Sequence, residues 1–254
     1  MLCTMDLTPD KRYSRHLSLE QIGEAGQQKL TDAHVLIVGL GGLGSPAALY
    51  LASAGIGHLT FADFDTVELS NLQRQIAHDT TRVGQLKTDS ARTAALSINP
   101  DCKIDTINYA MDEEDLETLL PQCTVVLDCT DNFPTRFAIN DACVAHKVPL
   151  VSGAAIRFDG QISVYDSRQA EAPCYRCLYG DTDSTADTCA QAGILGPVVG
   201  MVGCVQAIEA IKLICNIGDS LAGRLVLFDA LAMEWNEIQL KKNPACKVCG
   251  AAES

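Results

Sequence analysis

Aromatic side chains are scarce in this 254-residue chain: Phe, Trp and Tyr together make up 5 %, with a single Trp. Basic residues are also few, 19 Lys and Arg against 32 Asp and Glu, for a formal net charge of −13. A surface of that sign excludes nucleic acid as the main partner, because neutralising a phosphate backbone needs a basic face. It still allows a local basic pocket for a nucleotide. No apolar run of membrane-spanning length is uninterrupted: the most apolar segment, 194–217, carries Gln206, Glu209 and Lys212 and reads as a core helix, not a membrane span. The first residues, MLCTMDLTPDKRYSRHL, place charges where a secretory signal would be apolar. The expectation is therefore a reducing, cytoplasmic setting, in which the twelve cysteines are core residues, metal ligands or reactive thiols and not disulfides. Repeats, low-complexity tracts and linkers are lacking too. With 47 % hydrophobic residues, the chain reads as one compact domain, residues 1–254, with an Ala/Val/Ile/Leu-rich core.

What is present is organised around residues 34–65, HVLIVGLGGLGSPAALYLASAGIGHLTFADFD. Val35 to Val38 form a short β-branched run, the pattern of a strand buried on both faces. Gly39-Leu40-Gly41-Gly42-Leu43-Gly44 follows, and then Ser45-Pro46 ahead of a run with helical spacing. A second strand over 58–64 ends in Asp63 and Asp65. This strand, glycine turn, helix, strand and terminal acid together make a nucleotide-binding fingerprint. The first Gly allows the tight turn, the second brings backbone N–H groups near phosphate oxygens, and the third lets the helix pack on the strand. Asp63, 19 positions after Gly44, is placed to accept a ribose hydroxyl. A merely structural glycine turn is the alternative.

The rest of the chain continues the alternation. One or two short helices over 10–31 carry Arg12 and Arg15, whose plain reading is a solvated basic face. A polar loop leaves the second strand, and Lys87 opens a helix that Pro100 stops. Strand 101–108, helix 112–120, strand 124–127 and a helix over 134–146 follow. Three strand–helix pairs predict an α/β, doubly wound, mainly parallel, Rossmann-like sheet. Segments 148–155 and 160–165 lie close together and alternate apolar with polar, and predict a hairpin or mixed-sheet extension. Strands 225–229 and 234–240 close the chain, after a polar loop at 181–187 that reads as mobile.

Cys174-Tyr-Arg-Cys177 and Cys246-Lys-Val-Cys249 form two CxxC pairs with 68 residues between them. Four thiolates with no open position describe a structural zinc that ties the C-terminal segment to the middle of the chain. Two separate redox motifs, or coincidence, are the alternatives. Cys189 stands alone in the polar loop. Cysteines 3, 102, 123, 129, 143, 204 and 215 read as small core residues. At the strand ends, Arg74 and Lys87 offer cations for a triphosphate, and Asp65 and Asp131 offer acids for Mg²⁺. A dinucleotide oxidoreductase would need a hydride-transfer acid or base instead. A histidine among 16, 34, 58, 78 and 146 could serve, yet nothing in the pattern marks one out.

GLGGLGS, ADFD, LSNLQRQ, Lys87, VLDCTDN, CYRCL, AGILGPVVG and CKVCG occur in this order in the MoeB/ThiF/HesA family of ubiquitin-activating-like adenylyltransferases, which the chain resembles over residues 10–250. VSGAAIRFDGQI resembles the MoeB branch more than the ThiF branch. The resemblance implies ATP- and Mg²⁺-dependent adenylation of the C-terminal glycine of a small ubiquitin-like sulfur carrier ending in Gly-Gly, for molybdopterin synthesis. It implies that Gly39, Gly41, Gly42 and Gly44 form the phosphate cradle and that Asp63 and Asp65 end the strand beside it. Ser70, Asn71, Leu72, Gln73, Arg74 and Lys87 are then the nucleotide-binding loop and its lysine, with Asp131 on Mg²⁺ and Asn132 beside it. Arg15 matches an arginine that reaches across a homodimer into the other subunit's site. Cys174, Cys177, Cys246 and Cys249 match zinc ligands. Cys189 matches a cysteine that can link covalently to the activated carrier but is dispensable for adenylation. The implied organisation is an N-terminal arm at 1–31, a nucleotide-binding half at 32–150 and a carrier-binding half with zinc at 151–254. A carboxylate attacking the α-phosphate meets like-charge repulsion, so cations and alignment should dominate, with no general base. ThiF-like adenylation of the thiamine sulfur carrier, an NAD-dependent oxidoreductase and a non-catalytic scaffold are the competing readings.

Overall fold

The computed structural model describes residues 9–180 and 192–250. Cys3, Cys189 and the polar loop at 181–187 lie outside them. Among the described residues, three short helices precede the sheet: α1 (Pro9–Arg12), α2 (Ser14–Leu17) and α3 (Gly23–Asp32). Then come β1 (His34–Val38), α4 (Gly44–Ala54), β2 (His58–Ala62), α5 (Lys87–Ile98), β3 (Lys103–Ile107), α6 (Glu113–Leu119), β4 (Val125–Asp128) and α7 (Phe133–His146). The remainder is β5 (Leu150–Ile156), β6 (Asp159–Tyr165), α8 (Tyr175–Tyr179), α9 (Gly196–Cys215), β7 (Arg224–Asp229) and β8 (Glu234–Gln239).

The described strands form one eight-stranded sheet in the order β3-β2-β1-β4-β5-β6-β7-β8. The first five run parallel and the last three antiparallel, as the sequence predicts. β1, β2 and β4 are buried on both faces, while β3, at the margin of the sheet, exposes Lys103 and Asp105. In β1, Val35 and Ile37 face α4, α5 and α9, while Leu36 and Val38 face α6 and α7. The chain order reverses at β1, between β2 and β4, which opens a crevice beyond the carboxyl ends of those strands.

Helix α9 is long and apolar enough to cross a membrane by length and composition alone. Its face is instead part of the core, and its polar groups are satisfied there. The Gln206 amide donates to the Asp128 carbonyl (2.8 Å) and the Val151 carbonyl (3.2 Å), and the Glu209 carboxylate accepts the Leu221 N–H (2.8 Å). Pro197 in its first turn and Asn216 in a left-handed cap bound it two residues inside each predicted end. At the far margin of the sheet, every residue of β8 is exposed.

β2 ends at Ala62, two residues before the predicted end, and the Asp63 N–H makes the final bond to β3, at the Ile107 carbonyl. At the opposite end of the sheet, His34 and His58 occupy paired positions and stack with ring centroids 3.6 Å apart. His34 is buried, with Nε2 2.8 Å from Thr60 Oγ1 and Nδ1 3.1 Å from the Gln122 carbonyl. Burial, then the neighbouring His58, hold its pKa below the ordinary 6.5. The unfolded chain therefore takes up this proton first as pH falls. The contribution of neutral His34 to stability is full above pH 6.5 and is lost below it, towards the lowered native value. Urea unfolding at a series of pH values should show this decline, and His34→Gln should flatten it.

Candidate functional site

The glycine turn between β1 and α4 is shaped by backbone proximity. Gly39 has φ +89°, and a Cβ there would lie 2.7 Å from the Cys129 carbonyl oxygen of the neighbouring strand end. A Cβ on Gly44 would lie 1.9 Å from the Gly39 carbonyl oxygen, so Gly44 seats α4 on the turn and does not face a ligand. Gly41 meets nothing closer than Gln75 Nε2, 3.6 Å away, and forms the open wall of a cavity of about 420 Å³ in the crevice.

Asp63 stands at the tip of β2 in that cavity. Its Oδ2 accepts the Leu40 N–H at 2.7 Å and its Oδ1 accepts the Asp65 N–H at 2.9 Å. Burial pushes its pKa up, while Lys87 and these N–H groups oppose the rise. Lys87 is buried at the start of α5 and meets Asp65 at 2.7 Å. A polyphosphate in the cavity would compete with Asp65 for this cation. The Asn71 Oδ1 accepts the Glu68 N–H (3.1 Å), and Arg74 donates to the Ser70 carbonyl (3.2 Å), so both side chains line the cavity from a helical turn.

Asp131 and Asn132 form the opposite wall, on the turn from β4 into α7. Asn132 caps α7 by accepting the Thr135 N–H at 3.0 Å. The turn is held by a carboxylate with no exposed surface. The Asp128 Oδ1 accepts the Thr130 N–H (3.0 Å) and hydroxyl (2.7 Å), and its Oδ2 accepts the Ser152 hydroxyl (2.9 Å). The buried Arg136 lies 3.9 Å from Asp128 and donates to the Gly153 carbonyl (3.1 Å) and the Thr130 carbonyl.

Of the sequence-derived candidates, Gly39, Gly41, Gly42, Asp63, Asp65, Asn71, Arg74, Lys87, Asp131 and Asn132 surround this cavity. Gly44, Ser70, Leu72 and Gln73 do not: Ser70 donates to Glu68, and the Gln73 backbone packs against Gly196. Arg15 is exposed on α2, in an arm docked where α4 and α5 end, with Tyr13 accepting from Asn99 (2.9 Å) and Arg12 donating to Ile98 (2.8 Å). The length of α4, about 16 Å, separates that arm from the cavity. The sequence reading missed two groups. Met111, Leu116, Ala138 and Ile139 make an apolar slot in the cavity lining. Gln75 is buried in the wall with its Oε1 unbonded. Gln75 could have been found as the last residue of LSNLQRQ. The slot could not, because its members come from separate elements.

A second, mainly apolar cleft of about 660 Å³ runs over β5, β6 and β7. It shares Leu43, Thr130, Asp131 and Asn132 with the first cavity, so the two spaces meet at that turn. None of the five histidines lines either space.

The four cysteines of the CxxC pairs converge, with all sulfurs within 4.8 Å of one another. Cys174 and Cys246 are 3.6 Å apart and Cys177 and Cys249 are 3.3 Å apart, too far for disulfides and close to the edge of a tetrahedron with metal–sulfur bonds of about 2.3 Å. Arg176, between the first two, clamps Asp141 at 2.7 Å and lies over the Phe137 ring at 4.4 Å. Cysteines 102, 123, 129, 143 and 215 are buried and Cys204 is half-buried. Burial pushes the Cys102 and Cys123 thiols up to about 12, which leaves them unreactive at neutral pH.

The model of the ThiF family matches residues 13–248. The chain belongs to the ThiF family. It is 49 % identical over 239 residues to the molybdopterin-synthase adenylyltransferase of Escherichia coli (strain K12), covering 94 % of this chain and 96 % of that relative. The Salmonella typhimurium protein of the same name is 47 % identical over the same coverage. The adenylyltransferase and sulfurtransferase MOCS3 of Drosophila virilis is 47 % identical, matched over 94 % of this chain and 54 % of its own length. Among solved structures, E. coli MccB with ATP superimposes with a TM-score of 0.81 at 24 % identity, over 94 % of this chain and 74 % of that one. At that identity the likeness is one of fold.

The Asp128–Arg136 pair makes a quantitative expectation. Asp128→Ala leaves a buried guanidinium unpaired and should cost about 3–5 kcal/mol in urea unfolding, and adding Arg136→Met should recover much of the loss.

Proposed function

We propose that this chain is an adenylyltransferase that uses ATP to activate the C-terminal glycine of a small ubiquitin-like sulfur carrier, releasing pyrophosphate, for molybdopterin synthesis. The carrying observation is the junction of two spaces at the Thr130–Asn132 turn: a nucleotide-sized cavity behind the glycine turn and an apolar cleft leading to it. An extended tail laid in the cleft would bring its terminal carboxylate to the α-phosphate. Near-half identity to molybdopterin-synthase adenylyltransferases over 94 % of the chain supports the choice of carrier.

The chemistry is charge neutralisation and alignment. The carboxylate attacks phosphorus and pyrophosphate leaves, so no proton has to move, and the histidine-free walls fit that demand. In this reading Gly41 and its neighbours cradle the phosphates, Asp63 holds the ribose, and Asn71, Arg74 and Lys87 contact the triphosphate. Lys87 leaves Asp65 when the nucleotide arrives. Asp131 would hold Mg²⁺, which supplies further neutralisation of the phosphates. Arg15, too far from its own cavity, acts in the partner's site across a homodimer. The Cys174, Cys177, Cys246 and Cys249 sulfurs would hold Zn²⁺ as a structural clamp. We read the chain as one cytoplasmic unit, with residues 32–150 serving the nucleotide and 151–254 the carrier and zinc. Cys189 is not needed for adenylation. A thiamine-type sulfur carrier is the second reading, favoured only by the shared chemistry of the family.

Mass detection of the acyl-adenylate, after mixing the protein with ATP and Gly-Gly-ended carriers, tests the proposal. Adduct on the thiamine-type carrier alone would reassign the substrate. Arg74→Ala or Asp131→Ala should abolish carrier-dependent ATP–pyrophosphate exchange with unchanged circular dichroism. Arg15→Ala and Arg74→Ala, each inactive, should regain about a quarter of the sites when subunits are remixed, as a two-fold assembly requires. A chelator should remove one zinc per chain and lower the melting temperature, and Cys189→Ala should adenylate normally.

A further inference from the structure

The N–H that Gly41 offers to the cavity depends on the orientation of one peptide plane. That peptide carries the Leu40 carbonyl and the Gly41 N–H, which a planar trans unit points in opposite directions. On the inner side, the Leu40 carbonyl accepts hydrogen bonds from His78 Nε2 at 3.1 Å and Ser45 Oγ at 3.2 Å. A carbonyl only accepts, so Nε2 carries the hydrogen, and Nδ1 takes the Ser90 hydroxyl 2.9 Å away. His78 is 7 % exposed. Burial chiefly, with Lys87 and Arg82 adding to it, keeps its pKa below the ordinary value and its ring neutral. The other side of Leu40 is held as well, by Asp63 on its N–H. Among the described residues no acceptor takes the Gly41 N–H, and a Cβ at Gly41 would find only Gln75 Nε2 within 4 Å.

We propose that His78 is a positioning residue for the nucleotide phosphates: as the Nε2–H tautomer it holds the Leu40 carbonyl inward and so turns the Gly41 N–H outward into the cavity. Were the peptide to flip, the turn would present a carbonyl oxygen to the phosphates and repel them. The imidazole touches no substrate, and its effect is confined to the end of the cavity where the phosphates lie. The adenosine end, in the Met111–Leu116–Ile139 slot, is made by other elements. The inference rests on reading this cavity as an ATP site and deepens that reading.

Calorimetric titration of the full chain with ATP and with adenosine separates the two ideas. His78→Leu should weaken ATP about tenfold, the size of one charge-assisted hydrogen bond, and leave adenosine unchanged. His78→Gln, whose amide N–H can reach the same carbonyl, should bind ATP close to the wild type. Wild-type protein that binds neither compound overturns the ATP reading and this inference with it. ATP affinity unaltered in His78→Leu, or lost equally for adenosine, overturns the role of His78 alone. Should His78→Leu not fold, nitrogen-15 NMR of the wild-type ring decides. A neutral Nε2–H imidazole supports the role, and an Nδ1–H tautomer or an imidazolium at neutral pH overturns it.

Discussion

A charge taken wholly out of water has to be answered by fixed groups, and Asp128 is such a charge. Its carboxylate meets Thr130, Ser152 and Arg136, and its backbone carbonyl takes the Gln206 amide, so β4, β5, α7 and α9 all converge on one residue. Loosening any of these contacts exposes a buried ion to an environment that cannot solvate it. The turn that follows is consequently rigid, and that turn is the shared wall of the two spaces. The relative placement of the cavity and the cleft is thereby built in, and under the proposed function that would align a nucleotide with an incoming tail, which is where a reaction between two anions needs help.

The glycine turn adds a second fixed element at short range. Gly39 and Gly44 are bound to their places by carbonyl oxygens that leave no room for a methyl group. Gly41 differs: its face is open to the cavity, and a Cβ there would meet only Gln75 Nε2, at 3.6 Å. The same motif thus holds glycines required by packing and one that packing leaves free, and only the surrounding atoms tell them apart.

The doubly wound sheet was legible because its signals are local: β-branched runs, the Lys87 helix start, Pro100 as a stop, and the change to alternating polarity in β5 and β6. The convergence of the four cysteines was legible because tetrahedral thiolate binding needs pairs at close spacing. The apolar slot and the Asp128 network were not, since each gathers residues from three or four elements that only the fold brings together. Leu72 and Gln73 show the opposite limit. They share a motif with Asn71 and Arg74, yet a helical turn sends its side chains in different directions, and these two fall outside the cavity.

β8 closes the sheet with every residue exposed, and Leu231, Met233, Trp235 and Ile238 stand around it uncovered. Unpaired backbone along such a margin is a template for any other strand, including the margin of a second molecule. Glu234 within it, and the excess negative charge of the whole chain, oppose indiscriminate edge-to-edge pairing of copies through mutual repulsion. Colloidal behaviour is thereby linked to ionic strength: salt that screens the repulsion removes the guard from an otherwise sticky border.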